Sequence, residues 1–507
     1  MTLNLPTGSR YQQTETTPEA MAETVRSQLK KPGWRLGHLT ARVLANGRLA
    51  LEALLLDTAT GSGVICSAAL PDGVREYPSM TALVPAAHWM ERAAGEMFGL
   101  RAVGHPRWKT LRLHAPVWVP DLAPLESGAS GTPIPCEPYA FMKVKGEGIH
   151  EIPVGPIHAG IIEPGHFRFS CMGEIITNLE IRLGYQHRGL ERRLAEAPLA
   201  QTRFLAESAS TDTAAGNALA HAVAVEQMLG VTPPPRAEAL RTIALEIERL
   251  ANHIGDLGAL AGDIGYNIGP TLFPPMRGAA LALAQTLTGN RRQRWYIVPG
   301  GVARDIDDAR RGEMIEGLNA LHKQVRRHVP LILENPGVLD RMEGCGRLSS
   351  ALAKDFGMVG PAGRASGGRY DARAAFPHGI YPAGAPVAAR YTEGDVLARA
   401  RVRADEIESS IAIIRALLDD LPVSPARVEI AGVLPPNAAG IGVVEAWRGE
   451  LIHWITTDET GRIARYAIKD PSLNNWTGLA IAVRGNLIGD FPVCNKSFNL
   501  SYCGNDL

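Results

Sequence analysis

The 507-residue sequence lacks an excess of either charge, a long apolar run and clustered cysteines. Lys and Arg total 52, as do Asp and Glu, so the formal net charge is zero. Nucleic acid is therefore not expected as a partner, because a phosphate backbone requires a basic face. No uninterrupted apolar stretch reaches the roughly 18 residues of a membrane-spanning helix. Residues 1–10 also lack the basic start and apolar core of a secretory signal.

The sequence contains six cysteines, and no two of them form a Cys-x-x-Cys pair. They are Cys66, Cys136, Cys171, Cys345, Cys494 and Cys503. An iron–sulfur cluster on one chain needs about four thiolates, usually close together in the sequence. We therefore expect buried free thiols in a reducing compartment and no iron–sulfur cluster on this chain.

Hydrophobic periodicity predicts an α+β fold with two regions. In the first region, residues 35–56 alternate as strands do, and residues 80–98 carry apolar side chains at helical spacing. Proline and glycine then cluster within residues 116–150. Such clustering is typical of a linker, so we place domains at 1–115 and 151–507.

The second region is predicted to be mainly helical, with small sheets at its start and end. Two apolar stripes recur at i, i+3 and i+4, the spacing of a buried helix face. The stripes are Leu240, Ile243, Ala244, Ile247, Leu250, Ala251 and Ile254, and then Ile407, Ile411, Ile414 and Leu418. Residues 451–456 and 462–468 favour strands, and residues 458–461 favour a turn, which together predict a β-hairpin.

A dense motif lies within residues 77–114. Its residues are Trp89, Glu91, Arg92, Met97, Phe98, Gly99, Gly104, His105 and Pro106. At this spacing they resemble the 30-kDa subunit of respiratory complex I, whose core reads Trp-x-Glu-Arg-Glu-x-x-Asp-Met-Phe-Gly and then Gly-His-Pro. Ala93 and Glu96 depart from the family's second Glu and its Asp. The resemblance implies a small α/β domain at 1–115.

Further motifs follow one another from residue 151 onward. They are GPIHAGIIEPGHFRF at 155–169, GYQHRGLER at 184–192, ERLANH at 248–253 and RGNLIGDFPVCNKSFNLSYCGNDL at 484–507. These segments resemble the 49-kDa subunit of complex I and the large subunit of group 4 nickel–iron hydrogenases. The fused order of the two regions resembles the large subunits of formate hydrogenlyase and hydrogenase-4.

The resemblance implies a place in a larger assembly. A large subunit of this kind lies beside an iron–sulfur small subunit with a [4Fe–4S] cluster, and above membrane-embedded pumping subunits. The implied location is cytoplasmic, peripheral on the inner face of the plasma membrane. No glycine-rich phosphate loop follows a predicted strand, so we expect no NAD site on this chain.

The sequence departs from the hydrogenase pattern at all four metal-binding cysteines. The first motif of that family is matched by Arg188, Gly189, Leu190, Glu191 and Glu207. The four cysteine positions are occupied by Ser210, Thr213, Ser501 and Gly504, and Cys503 lies one position out of register. Hydroxyl groups stay protonated near neutral pH and are poor ligands for soft metals. We therefore expect no nickel.

The quinone site of complex I is altered as well. Gly155, Pro156 and His158 match the family loop, but Ile162 stands where the family has its second His. The partnering family Tyr falls at Thr211. A neutral quinone needs hydrogen-bond donors and a proton source, which Ile162 cannot provide. A quinone or another small acceptor remains a candidate partner.

Several polar residues remain as candidates for catalysis. Glu163 and His166 resemble a hydrogenase segment that supplies a proton-relay carboxylate, and His158 is a third candidate. The alternative is a loop carboxylate and histidines that bind backbone groups. Asp212 is the fourth candidate. Together with Ser210, Thr211, Thr213, Asn217 and His221 it forms a polar group suited to a polar small molecule, a hard cation or water. The alternative is that Ser, Thr and Asp here cap a helix over 214–229.

His187 and Arg188 belong to the helix that, in the family, faces the partner's terminal iron–sulfur cluster. A cation at this place would stabilise the reduced cluster. The alternative is a structural salt bridge with Glu191 or Glu180.

Three hypotheses follow. The first is an electron-transfer subunit of a membrane-associated, complex-I-like oxidoreductase without a nickel–iron centre and with an altered quinone-type cavity. The second is a non-catalytic scaffold or coupling subunit of such a complex. The third, a working nickel–iron hydrogenase, is least favoured.

Overall fold

A computed structural model gives the fold, and it describes residues 3–5, 9–114, 123–134, 138–158, 162–382, 390–430 and 432–507. Parts of the predicted linker (116–122 and 135–137) lie outside these residues, and so does Cys136. The domain boundaries at 115 and 151 therefore stay predictions. The other five cysteines are buried and free, as predicted for them.

The N-terminal region is a four-stranded sheet with one helix on it. Its elements are β1 (Tyr11–Thr16), α1 (Pro18–Leu29), β2 (Trp34–Val43), β3 (Leu49–Asp57) and β4 (Ser62–Ala69). The strand order is β1-β4-β3-β2, with β1 and β4 parallel and the other pairs antiparallel. The predicted strand region 35–56 is thus confirmed as β2 and β3.

The predicted helix over 80–98 is shorter than expected. It forms α2 (His88–Phe98), between β5 (Glu76–Pro78) and β6 (Arg101–Val103). The backbone N–H groups of Met80 and Thr81 instead bind the Glu91 carboxylate, each at 3.0 Å. The Glu91 side chain therefore stabilises a non-helical turn at residues 80 and 81, where periodicity predicted the start of the helix.

The second region begins with an antiparallel sheet and continues as helices. The sheet contains β7 (Ile149–Val154), β8 (His166–Met172) and β9 (Ile175–Arg182). The first helices are α3 (Leu190–Glu196), α4 (Leu199–Glu207), α5 (Ala214–Leu229), α6 (Pro235–Asp263) and α7 (Ile268–Thr288). A short hairpin follows, β10 (Ile297–Val298) and β11 (Gly301–Val302). The next helices are α8 (Asp308–Leu333), α9 (Pro336–Met342), α10 (Ser350–Asp355), α11 (Gly360–Ala365), α12 (Ala372–Ala375) and α13 (Val396–Asp419).

The chain closes with a second antiparallel sheet and three helices. The strands are β12 (Ala439–Ala446), β13 (Gly449–Thr457) and β14 (Ile463–Lys469). The helices are α14 (Pro471–Ala482), α15 (Phe491–Phe498) and α16 (Tyr502–Asp506). The predicted hairpin is confirmed as β13 and β14, and the two sheets lie where small sheets were expected.

The core confirms the predicted helix faces. Every residue of the two apolar stripes, on α6 and α13, is buried. The N-terminal sheet also packs on the C-terminal one, because Leu54, Leu56 and Ile65 share an apolar cluster with Ile452 and Trp454. Burial on both faces explains why β3 is apolar almost throughout. Among the described residues, none of the helices combines the length and apolar character needed to cross a membrane.

Candidate functional site

The two segments that carry altered cysteine positions meet in the fold. Ser210, just before α5, lies with its hydroxyl oxygen 3.2 Å from that of Ser501, which begins the final helix. Both side chains are buried, although the residues are 291 positions apart in sequence. The place where the resemblance puts metal-binding thiolates is therefore a real meeting point of α4, α5 and the C-terminal segment.

An ion pair occupies this meeting point. Arg448, in the tight turn between β12 and β13, donates from Nη1 and Nη2 to the two carboxylate oxygens of Asp212, at 2.8 and 2.7 Å. Its Nε donates to the carbonyl oxygen of Asn499 at 2.6 Å. The guanidinium also lies over the Trp447 ring, 3.9 Å from its centroid. Arg448 thus joins the altered segment before α5 to the segment before α16.

Asp212 is held in its ionised form. Burial alone would raise its pKa, but the Arg448 charge, with hydrogen bonds from Arg448, Ser210 and Thr213, holds the pKa below its usual range. The Ser210 and Thr213 hydroxyls donate to Oδ1 at 2.8 and 3.2 Å. Since Arg448 neutralises this carboxylate, Asp212 offers no spare charge to a hard cation.

The predicted helix cap is wrong. Thr213 precedes α5 without a side-chain capping bond, because its hydroxyl and that of Ser210 are turned to Asp212. Glu248 of α6 accepts the Ala215 and Gly216 backbone N–H groups instead, at 2.7 and 3.1 Å. Burial raises the pKa of Glu248 to about 8, although these two donors act against the rise.

Glu163 reaches the same region from the loop between β7 and β8. Its Oε2 accepts the backbone N–H groups of Tyr502 and Cys503, at 3.1 and 3.3 Å. Cys503 Sγ lies 3.5 Å from the Ser501 hydroxyl oxygen. Burial raises the pKa of Cys503 to about 11, so this thiol is protonated at neutral pH. Glu163 is therefore in contact with the altered C-terminal segment.

His158 and His166 fasten the loop that carries Glu163. Nδ1 of His166 donates to the Gly155 carbonyl at 3.0 Å, and Nε2 of His158 donates to the Gly165 carbonyl at 2.7 Å. Burial lowers the pKa of His166. Backbone binding was the alternative interpretation for these histidines, and the structure has that geometry. Residues 159–161 lie outside the described part, and Ile162 beyond them is exposed.

His187 and Arg188 lie in the turn before α3. Nδ1 of His187 donates to the Asp506 carbonyl at 2.7 Å. Arg188 Nη2 donates to the carbonyls of Ser208 and Ala209, at 2.6 and 3.0 Å. Burial lowers the pKa of His187 to about 4, so His187 is neutral at pH 7 and Arg188 carries the charge.

The two carboxylates proposed as partners of this turn each pair with another cation. Glu191 pairs with Arg465 at 3.2 Å, and Glu180 pairs with Lys109 at 2.5 Å. Arg188 instead contacts the backbone that immediately precedes Ser210.

A buried chain of hydrogen bonds runs behind the ion pair. Asn217 donates to the Thr213 carbonyl at 2.8 Å, and its own oxygen accepts from His453 Nε2 at 3.0 Å. Burial lowers the pKa of both His453 and His221, so both rings are neutral at pH 7. His453 Nδ1 must then accept from the Tyr466 hydroxyl, and Tyr466 must accept from His221 Nδ1, each at 2.8 Å. In this series of hydrogen bonds, each group therefore donates in one direction, from His221 toward Thr213.

The free space beside Asp212 is small. A cavity of about 20 Å³ is lined by Thr211, Asp212, Glu248, Asn252, Arg292 and Gln293, among others. This space holds about one water molecule. Arg292 is exposed at its edge, so a basic side chain borders the site.

Sequence reasoning found Asp212, Asn217 and His221 but missed Arg448, His453 and Tyr466. These three lie on the last sheet, more than 200 positions after Asp212, and no local pattern links them to it. Only the topology, which sets β12–β14 against α5, brings them together.

Two family descriptions match the chain. Residues 15–129 match the respiratory-chain NADH dehydrogenase 30 Kd subunit, and residues 263–440 match the 49 Kd subunit of the same enzyme. Formate hydrogenlyase subunit 5 of Escherichia coli (strain K12) is 34% identical over 443 residues, which cover 85% of this chain and 77% of that protein.

Two further proteins extend the likeness. Hydrogenase-4 component G of the same organism is 32% identical over 470 residues, covering 91% of this chain and 81% of that protein. Among solved structures, a chain of the membrane-bound sulfane sulfur reductase, described as an archaeal respiratory membrane complex, is 26% identical with a TM-score of 0.67. That match covers 71% of this chain and 99% of the other.

Proposed function

The chain belongs to the family of fused 30-kDa/49-kDa-type large subunits that includes formate hydrogenlyase subunit 5 and hydrogenase-4 component G, and we propose that it is an electron-transfer subunit without a nickel–iron centre. As a family member, it is a subunit of a membrane-bound, complex-I-like oxidoreductase. The observation that carries the proposal is the Arg448–Asp212 pair, which takes the place of the expected metal ligands.

The donor set supports a site without nickel. Ser210, Thr213 and Ser501 supply neutral hydroxyls where soft thiolates would be needed. The nearby Cys503 is a single thiol, one position out of register with the motif. Arg448 also neutralises Asp212, so this carboxylate offers no spare charge to a dipositive metal. The residues present therefore do not fit a nickel–iron centre.

Electrons are proposed to arrive from a [4Fe–4S] cluster in an iron–sulfur small subunit docked near Arg188. This chain and the small subunit would lie on the cytoplasmic face of the plasma membrane, above membrane-embedded pumping subunits. Arg188 is exposed, and its guanidinium donates to the carbonyl of Ala209, the residue before Ser210. Arg188 would therefore link the docking surface to the site. A cation beside the cluster stabilises the reduced form.

Arg188→Gln should then lower the reduction potential of the partner's cluster in the intact complex, measured by redox titration with EPR detection. Arg192→Gln is the matched control, because Arg192 lies nearby on α3 but is exposed and paired with Glu196. Equal potentials in both variants and the unaltered complex would refute the docking part of the proposal.

The acceptor is proposed to be a small polar molecule, or a quinone that binds once the site opens. The small cavity beside Asp212 favours the first. Glu163 is the proposed proton-handling group, with His158 and His166 holding its loop in place. Asp212 is ionised by its contact with Arg448, so its proposed role is electrostatic rather than that of a proton donor.

The closed ion pair also favours the second candidate, a scaffold or coupling subunit. Glu163→Gln and Asp212→Asn separate the two, assayed as redox turnover of the purified complex with a panel of donors and acceptors. A loss of about tenfold or more with Glu163→Gln supports a proton-handling role. Unchanged turnover in both variants supports the scaffold. Glu151→Gln is the control, since Glu151 is exposed on β7 and pairs with Arg168. A complex without turnover for any pair tested would overturn the proposal.

A further inference from the structure

Two cysteines lie side by side in a part of the fold that the proposed function does not use. Cys345 stands in the turn after α9, and Cys494 stands on α15. Their Sγ atoms are 3.5 Å apart, although the residues are 149 positions apart in sequence. Cys494 is completely buried, whereas Cys345 keeps 9% of its surface exposed. The pair is thus reachable from one side only, through Cys345.

The backbone is shaped to bring this turn against Cys494. Gly344 and Gly346, on either side of Cys345, both have a positive φ, 72° and 61°. A Cβ atom at Gly346 would lie 2.6 Å from Cys494 Sγ. Glycine is therefore required at 346 both by conformation and by the close approach to sulfur.

A buried cation lies next to the two thiols. Arg399 of α13 is fully buried and donates to the Gly346 and Gly394 carbonyls, at 2.9 and 2.7 Å, and to the Ser497 hydroxyl at 2.8 Å. Among the described residues, no carboxylate oxygen lies within salt-bridge distance of it. A cation without a carboxylate partner, placed beside thiols, favours a thiolate. The hydrogen bond from the Cys494 thiol is the main cause that lowers the pKa of Cys345. Burial and the Asp490 carboxylate act against it, and the charges of Arg399 and Arg341 act with it.

We propose that Cys345 and Cys494 form a redox-active dithiol that a small-molecule disulfide converts to an intramolecular disulfide. The Cys345 thiolate attacks one sulfur of the oxidant, forms a mixed disulfide and releases one thiolate. Cys494 then loses its proton and attacks Cys345 Sγ, which forms the Cys345–Cys494 bond and releases the second thiolate. The protein loses two electrons and two protons, and the oxidant becomes two thiols.

The bond would tie the turn after α9 to α15. Because α15 leads directly into Asn499 and Ser501, oxidation acts on the segment that Arg448 holds. The dithiol itself stands independently of the electron-transfer proposal, since its chemistry requires the two sulfurs, Arg399 and a small-molecule disulfide as oxidant.

The test is treatment of the intact complex with glutathione disulfide, followed by alkylation of free thiols and peptide mass spectrometry. The expected product is a cross-linked peptide pair containing Cys345 and Cys494, two hydrogens lighter than the reduced pair. Cys494→Ser should instead accumulate glutathione on Cys345, whereas Cys345→Ser should leave Cys494 unmodified. Cys66 and Cys171, buried single thiols, are internal controls and should stay reduced. No cross-link in a complex that remains assembled would overturn the proposal.

Arg399 supplies a second readout. Arg399→Gln should slow alkylation of Cys345 by iodoacetamide about tenfold near pH 7, equivalent to about one pKa unit. The rate at high pH should not change, because the thiolate is then fully formed. Arg399→Lys should restore most of the rate at pH 7. Identical pH profiles for the unaltered protein and Arg399→Gln would refute a thiolate stabilised by Arg399.

Discussion

Removal of the Asp212 carboxylate tests the ion pair most sharply. In Asp212→Asn, the Arg448 guanidinium loses its carboxylate hydrogen bonds while remaining almost fully buried, although it keeps the Asn499 carbonyl and the more distant charges of Asp470 and Asp256. Breaking a buried pair on one side costs about 3–5 kcal/mol. Because 32% of the Asp212 side chain is exposed, water screens part of this, and we expect a loss of about 2–3 kcal/mol in the free energy of unfolding.

A double-mutant cycle isolates the pair. Arg448→Met alone leaves Asp212 with two hydroxyl donors, so it should cost about 2 kcal/mol. The combined variant should cost less than the sum of the two, by a coupling energy of about 2 kcal/mol. The measurement is urea unfolding of the full chain, with hydrogen exchange of residues 209–216 to locate the effect.

The effect has a defined pH dependence. The folded pKa of Asp212 is lowered, so its stabilisation is present above the unfolded pKa, near 3.9, and is lost as the pH falls toward the folded pKa. The stability difference between Asp212→Asn and the unaltered chain should therefore shrink as the pH falls below about 4.

A surface pair provides the matched control. Asp305→Asn breaks the Arg236–Asp305 contact, where Asp305 is half exposed, and should cost less than about 1 kcal/mol. A coupling energy below about 0.5 kcal/mol for Asp212 and Arg448, or an Asp212→Asn variant as mild as this control, would refute the reasoning.

Two further predictions concern buried groups near the pair. Because the folded pKa of Glu248 is raised to about 8, stability relative to Glu248→Gln should fall as the pH rises from about 5 to 8. At pH 7, Glu248→Ala should lower the free energy of unfolding, measured in urea, by about 1–2 kcal/mol more than Glu248→Gln does. Only Gln keeps an acceptor for the backbone N–H groups at the start of α5, and equal losses would contradict this. Tyr466→Phe should cost about 2–4 kcal/mol, because it leaves a nitrogen of both His221 and His453 unpartnered. Tyr381→Phe is its control, since that buried hydroxyl has no hydrogen-bond partner within the part of the chain that the structure describes. Equal losses in the two variants would exclude the directed chain of hydrogen bonds.

Local patterns predicted the elements well where a single period governs them. The helix over 214–229 has the predicted bounds, and the α6 and α13 stripes are buried as expected. The predicted start of the helix over 80–98 was wrong because the Glu91 carboxylate binds the backbone N–H groups of residues 80 and 81. Hydrophobic periodicity carries no information about such a contact.

The site was predictable only in part. The resemblance correctly brought Ser210 and Ser501 together across most of the chain. The capping prediction failed because Ser210 and Thr213 bind Asp212, while Glu248 arrives from another helix. Contacts made by the fold alone, such as that between the β12–β13 turn and Asp212, carry no local signal in the sequence. Likewise, the Sγ atoms of Cys494 and Cys345 lie 3.5 Å apart in the fold, although Cys503 is much closer to Cys494 in the sequence.

Elemental analysis of the intact native complex, with nickel and iron quantified per copy of this chain, decides whether the site between Ser210 and Ser501 holds a metal. We expect iron, held in partner subunits, and nickel no higher than in a buffer blank. Nickel equimolar with the chain would contradict this expectation, because a ligand set other than four thiolates would then hold a metal beside Arg448.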